Sequence, residues 1–231
     1  MTPPTNPEAV GPADTAAAKR AAAGRGVAGA AGPDAAERAA RRLLDDVAIR
    51  RALTRIAHEI VERHDDLADL YLVAIPNGGV PLARLLVENL ASLTGVRVPL
   101  GILDTTLYRD DVLSTAERPP LRVTEMPSSV DDRLVVLVED VVNTGRTIRA
   151  AMDALMDFGR PRAVQVVALV DRGHRELPIR IDFVGKNIPT QPGESVKLIG
   201  QNGTLEGELE VLLDRSGRGD AGAVASQEGA G

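Results

Sequence analysis

Glu139 and Asp140 stand side by side where the apolar run LVVLV, residues 134–138, gives out, and Thr144-Gly145-Arg146-Thr147 follows after three more residues. Adjacent carboxylates repel, so a fold gains nothing by crowding them at the end of a buried strand. A ligand gives the pair a purpose. Gly145 lets the backbone curl so that successive N–H groups point into one concavity. Thr144 and Thr147 add hydroxyl donors, and a helix opening near Arg146 adds the positive end of its dipole. Such a turn cradles a phosphate. It is not a Walker A loop, which needs a glycine five residues before Gly145 and a lysine after it, and this chain has neither. Acids beside a phosphate repel it unless they accept hydrogen bonds from hydroxyls of the same ligand. A sugar phosphate offers both groups: the phosphate for the amides, vicinal hydroxyls for Glu139 and Asp140. The plainer reading, a polar loop whose acids sit at a helix N-terminus, stays open on these residues alone.

The surrounding pattern must hold that turn in place. Residues 45–64 carry Val47, Ile49, Leu53, Ile56, Ile60 and Val61 at helical spacing. The run LYLVAI, 70–75, reads as a buried strand ending in PNGG, and residues 81–95 as a helix stopped at Gly95. A second strand is expected over 96–104, a polar stretch over about 105–130, a third strand over 134–138 ending in the acidic turn, a helix over 146–158 with Gly159 as its cap, and a strand over 163–170. Continuous apolar strands alternating with helices indicate βαβ units in a parallel α/β sheet. Ligands of such sheets sit beyond the carboxyl ends of the strands, where both PNGG and EDVVNTGRT fall.

Composition narrows the classes. Hydrophobic residues make up 44% and aromatics only 2%, so a sizeable core must be aliphatic. With no cysteine there are no disulfides, thiolate metal sites or cysteine nucleophile. No apolar run approaches the roughly 18 residues needed to cross a membrane, and the N-terminus lacks the apolar core of a secretory signal, so a cytoplasmic protein is expected. A net charge of -6 argues against broad nucleic-acid binding but permits a local basic patch, since charges are screened beyond about 8 Å. Residues 1–40 and 215–231, rich in Ala, Gly and Pro, are expected to be disordered tails flanking one domain over 41–214. The formal GxGxxG at 24–29 has no strand before it and no amphipathic helix after it, and reads as a product of Ala/Gly bias. His64 and His174 lack any partner spacing that suggests zinc.

The string of strand, acid pair, three residues and T-G-R-T resembles the 5-phosphoribosyl 1-diphosphate (PRPP) signature of type I phosphoribosyltransferases. TLYRDD, MDALMDFGRPRAVQVVALVDRGHRELPIR and DFVGKNIPT extend the resemblance, over residues 43–214, to the family of bifunctional pyrimidine-operon attenuation regulators and uracil phosphoribosyltransferases. The resemblance implies a central, mostly parallel sheet flanked by helices, with a small hood and a flexible loop. Glu139 and Asp140 would bind the ribose hydroxyls, and Asn143, Thr144, Gly145, Arg146 and Thr147 the 5-phosphate. Pro76, Asn77, Gly78 and Gly79 would hold the pyrophosphate, which leaves with Mg2+ carried by PRPP rather than fixed by the protein alone. Thr106 to Asp111 would form the working part of the hood, with Tyr108 and Arg109 in ligand contact and Arg109 counted with the catalytic acids. The base would lie against Val184, Gly185 and Lys186. Gly78 and Asn143 stand where the family often shows Arg and Tyr.

The resemblance also implies binding of a stem-loop in pyrimidine-operon messenger RNA when UMP is present, favouring transcription termination. The RNA contacts fall on Thr54, His58, Arg175, Arg180 and Lys186. Independently of the resemblance, Thr54 and His58 share one helix face, and Arg172, Arg175, Arg180 and Lys186 are the densest basic cluster in the second half of the chain. Uracil, PRPP, UMP and UTP are the implied small ligands, and a homodimer or higher oligomer the implied assembly. Two alternatives stay open: a nucleotide-sensing RNA regulator with little turnover, and a phosphoribosyltransferase for another base with no RNA role.

Overall fold

The computed structural model describes residues 40–109, 123–200 and 205–215. The expected tails, the GxGxxG match and hood residues Asp110 and Asp111 lie outside these ranges. In chain order the elements are β1 (Arg41–Leu44), α1 (Asp46–Arg63), β2 (Leu70–Ala74), α2 (Gly79–Thr94), β3 (Leu100–Ile102), a 3-10 turn (Thr106–Tyr108), β4 (Leu134–Val142), α3 (Arg146–Leu155), a second 3-10 turn (Met156–Phe158), β5 (Ala163–Asp171), β6 (Phe183–Asn187), β7 (Ser195–Gly200) and β8 (Leu209–Asp214).

Five strands form a parallel sheet in the order β3-β2-β4-β5-β6. The central strands carry continuous apolar runs, Leu70–Ala74, Leu134–Val138 and Val166–Val170, because both faces are covered. Leu72, Ala74, Leu134 and Val136 pack on one side with Ile49, Leu53, Ile56 and Ile60 of α1 and Leu82, Leu86 and Leu90 of α2. Tyr71, Val73, Val135 and Leu137 pack on the other with Ile148, Ala151 and Leu155 of α3. Burying each such Leu or Ile contributes about 1.5–3 kcal/mol, and this aliphatic slab fixes the strand ends from which the loops spring. α1 starts where the Asp45 carboxylate accepts the Ala48 N–H at 2.8 Å. α2 ends at Gly95, whose φ of 75° is left-handed.

Three expectations are corrected. The strand expected over 96–104 is paired only over Leu100–Ile102, because Pro99 lacks the N–H that a longer ladder needs. β4 does not stop before the acids: it runs to Val142, its pairing carried past them by the equally long β5, with Glu139 opposite Ala168 and Val142 opposite Asp171. The third helix turns 3-10 after Leu155, so Gly159 caps the short turn and not the α-helix. A second sheet, antiparallel β1-β8-β7, forms the small layer beside the main one. The reading along the chain placed none of its strands, nor β6.

Candidate functional site

Two loops meet at the carboxyl end of the sheet. The first follows β2. Pro76 and Asn77, joined by a cis peptide, lead to Gly78 and Gly79, where α2 begins. Both glycines are needed for close approach: a Cβ on Gly78 would lie 2.2 Å from Oδ2 of Asp140, and one on Gly79 would lie 2.3 Å from the Val138 carbonyl oxygen. The loop therefore lies directly on the end of β4, and the Asp140 carboxyl covers Gly78. Two segments that the sequence separates by about sixty residues become one surface.

The second loop, Asn143–Gly145, joins β4 to α3. Gly145 has φ of 93°, a left-handed turn that aims the chain into α3. The Thr144 hydroxyl accepts the Arg146 N–H at 3.4 Å. The stretch after β5 braces this turn from outside. Arg175 donates through Nη1 to the Asn143 carbonyl at 2.6 Å, through Nη2 to Asp171 at 2.8 Å and through Nε to the Ile179 carbonyl at 3.2 Å. The Thr144 carbonyl accepts the N–H groups of Glu176 and Leu177, and Glu176 pairs with Arg146 at 2.8 Å. With its carbonyls held from behind, the turn keeps a fixed shape before any ligand arrives.

The acid pair lies between the loops. Glu139 is buried, 8% exposed, and its Oε2 has no hydrogen-bond partner among the described residues. Burial pushes the Glu139 carboxyl well above its ordinary range, Asp140 pushes it further, and Arg109 pulls it back. Burial also raises Asp140, partly offset by the backbone N–H groups of Val141 and Asp140. Two acids whose charge is disfavoured, one with an orphan oxygen, are poised to accept donors that a ligand brings. Asn143 likewise keeps a buried Oδ1 without a partner among the described residues.

Residues 40–197 match the model of the phosphoribosyl transferase domain. The bifunctional protein PyrR of Pelotomaculum thermopropionicum is 53% identical over 172 residues, covering 74% of this chain and 94% of that one. That of Deinococcus radiodurans is 54% identical over 156 residues, covering 68% and 85%. The chain belongs to the PyrR family of type I phosphoribosyltransferases. Solved hypoxanthine phosphoribosyltransferases share its fold: one from Trypanosoma cruzi at a TM-score of 0.59 and 20% identity, covering 77% of this chain and 96% of that one, and one from Staphylococcus aureus at 0.53 and 18%, covering 69% and 81%.

In this phosphoribosyltransferase the residues expected to form the hood begin with the 3-10 turn, fastened where Asp104 accepts the backbone N–H of Thr106 at 2.9 Å and its hydroxyl at 2.6 Å. Tyr108 donates its hydroxyl to Asp157, a bond that raises the phenol's pKa, and its carbonyl accepts Arg149 at 3.0 Å. Arg109 follows, close enough to act on Glu139. Tyr108 thus ties this turn to Arg149 of α3 and to Asp157 of the second 3-10 turn. Val184, Gly185 and Lys186 lie on β6, the outer strand of the sheet beside β5.

The five RNA candidates divide by exposure. Thr54 and His58 are exposed on α1, where His58 Nδ1 lies 2.8 Å from the Thr54 carbonyl. Arg180 and Lys186 are exposed. Arg175 is half-buried behind the Asn143–Gly145 turn. Arg172, grouped with the basic cluster by sequence, is buried, bonded to the Thr190 hydroxyl at 3.1 Å and the Glu194 carbonyl at 2.6 Å. Its place inside the fold comes from the long return from β6 to β7, which spacing along the chain does not reveal. Arg149 and Asp171 also escaped the sequence reading. Arg149 gives only the i,i+4 signature of an ordinary helix pair with Asp153.

For Mg2+, the donors fit an ion carried in by PRPP. Glu139 and Asp140 supply two carboxylates, one with a free buried oxygen, and no group of three metal-binding side chains converges among the described residues. Mg2+ characteristically pairs one or two carboxylates with substrate phosphates.

Proposed function

We propose that this chain transfers the phosphoribosyl group of PRPP to uracil, giving UMP and pyrophosphate. We also propose that with UMP bound it holds a stem-loop of pyrimidine-operon messenger RNA and favours transcription termination, acting in the cytoplasm as a homodimer or higher oligomer. The observation that carries the first part is the buried Glu139 oxygen, without a partner among the described residues, set beside Asp140 between the braced Asn143–Gly145 turn and a glycine loop. Ribose hydroxyls satisfy the acids, the amides of Asn143 to Thr147 take the 5-phosphate, and the Gly78–Gly79 backbone takes the diphosphate. Mg2+ arriving with PRPP would supply charge neutralisation at the departing diphosphate. As the bond from ribose C1 to the diphosphate oxygen breaks, uracil N1 bonds to C1 and its proton is lost. No protein nucleophile is required, and the residues act by positioning and electrostatics. The base rests along Val184 to Lys186, its polar edge met by backbone groups. Arg109 and Tyr108 bring the hood over the reacting centre and exclude water.

For the regulatory part, Thr54, His58, Arg180 and Lys186 offer exposed donors suited to RNA loop bases and backbone, and Arg175 braces the turn beside them. The test is turnover of PRPP and Mg2+ with uracil, hypoxanthine and guanine in competition, alongside RNA binding with and without UMP. UMP formation and UMP-enhanced RNA binding are expected. Preference for a purine base without UMP-enhanced RNA binding would overturn the reading.

A further inference from the structure

α1 grips the outer strand β6 with two arginines. Nη2 of Arg55 donates to the carbonyl oxygens of Val184, at 2.9 Å, and Gly185, at 2.8 Å. Two turns further on, Arg63 lies over the Phe183 ring, 4.4 Å from its centroid, and reaches Asp182 at 3.7 Å. Arg55 also pairs with Glu59 on its own helix. Its other neighbours matter more. Thr54 precedes it, and His58, three residues on, shares its side of the helix. Thr54, Arg55 and His58 line one open hollow together with Arg50 and Arg51. The side chain that holds the proposed base segment is therefore part of the proposed RNA face.

Resting on the function proposed above, we propose that Arg55 is the positioning residue through which an occupied pyrimidine site orders the RNA-binding turn of α1. Both bonds leave the single nitrogen Nη2 of a planar guanidinium, so holding both carbonyls at once requires that Val184 and Gly185 keep their present relation to the helix. Each carbonyl oxygen has two lone pairs. One can accept a base N–H while the other keeps Arg55. A base seated along Val184 to Lys186 narrows the positions open to β6 and, through Arg55, those open to Thr54 and His58. RNA then meets a turn already ordered. Reciprocity requires that bound RNA tighten UMP by the same factor. Arg63 cannot do this alone, because a ring face and one ion pair at 3.7 Å tolerate sliding that a grip on two carbonyls does not.

The experiment compares wild type, Arg55→Lys and Arg55→Gln. It measures the Kd of a transcribed leader stem-loop of the host's pyrimidine operon without and with saturating UMP, the Kd of UMP alone, and the melting temperature. Coupling of this kind typically amounts to about 5–150-fold. Lysine keeps the positive charge beside the RNA, but its shorter side chain and freely rotating ammonium lack the fixed plane with which Nη2 meets both carbonyls. The ratio of RNA affinity with UMP to that without should therefore collapse towards one in Arg55→Lys, as it does in Arg55→Gln. An unchanged UMP gain in Arg55→Lys overturns the proposal. So does equal weakening of RNA binding with and without UMP, which marks a direct RNA contact. If wild type itself shows no UMP gain, the regulatory reading fails first and the coupling falls with it.

Discussion

A methyl group added at Gly78 would sit 2.2 Å from Oδ2, 2.4 Å from Cγ and 2.6 Å from Cβ of Asp140. Carbon atoms in packed interiors sit about 3.5–4.0 Å apart, so the two Cβ atoms alone would be about 1 Å too close. Rotating Asp140 about χ1 does not move its Cβ. Either the loop or the strand must yield. β4 is paired on both sides, by β2 and β5, and its Val138 carbonyl accepts the Ile75 N–H at 3.0 Å. The loop is the softer partner and should lift. Overpacking of this kind costs about 1–3 kcal/mol, which in a chain of this size lowers the melting temperature by about 2–12 °C. Lifting the loop by about 1 Å should weaken PRPP use by up to about a hundredfold. Thermal unfolding and calorimetric binding of PRPP with Mg2+ measure both effects. Asp140→Gly removes all three contacts, so the Gly78→Ala penalty should shrink in that background, with a coupling of at least about 1 kcal/mol. Gly78→Arg, which restores the residue the family often shows, should be worse than alanine in this chain. A Gly78→Ala protein that melts and binds PRPP like wild type, or penalties that simply add, would refute the packing of the loop on Asp140.

Glu139→Gln keeps the shape of the side chain but cannot carry charge. It should weaken PRPP binding about ten- to hundredfold, the value of a hydrogen bond to a charged group, while raising stability at neutral pH. Because the folded carboxyl sits above its ordinary value, the folded state keeps a proton that the unfolded chain has already released. Wild-type stability should therefore fall as pH rises from the ordinary glutamate range towards the raised value, and Glu139→Gln should flatten that fall; identical pH–stability curves would count against it. Arg175→Gln removes the donors to Asn143, Asp171 and Ile179. Steady-state kinetics should show the PRPP KM rising about tenfold or more with a lower melting temperature, and Arg175→Lys should not rescue it because lysine lacks the fork. An unchanged KM with a loss confined to RNA affinity would assign Arg175 to the RNA instead.

The α/β class, the principal helices and the turn at Gly145 were legible because each depends on local order in the chain. Apolar residues at helical spacing, continuous apolar strands and one glycine between threonines carry their meaning within about ten residues. The acid pair drew attention in sequence for a related reason: two adjacent carboxylates after a buried apolar run stand out wherever the rest of the chain goes. The β1-β8-β7 sheet was not legible, since it pairs Arg41 with Leu213 across almost the whole domain, and its strands are short. Only the tertiary structure decided that Arg172 is buried, that Arg175 braces the Asn143–Gly145 turn, and that Asp140 closes over Gly78. It also decided that Arg55 reaches two carbonyls about 130 residues away. A charge has no periodicity, and an arginine reads the same in sequence whether it faces water, a carbonyl or RNA. Its partner is chosen by how the sheet stacks its neighbours, and that is set by the burial of the whole apolar slab.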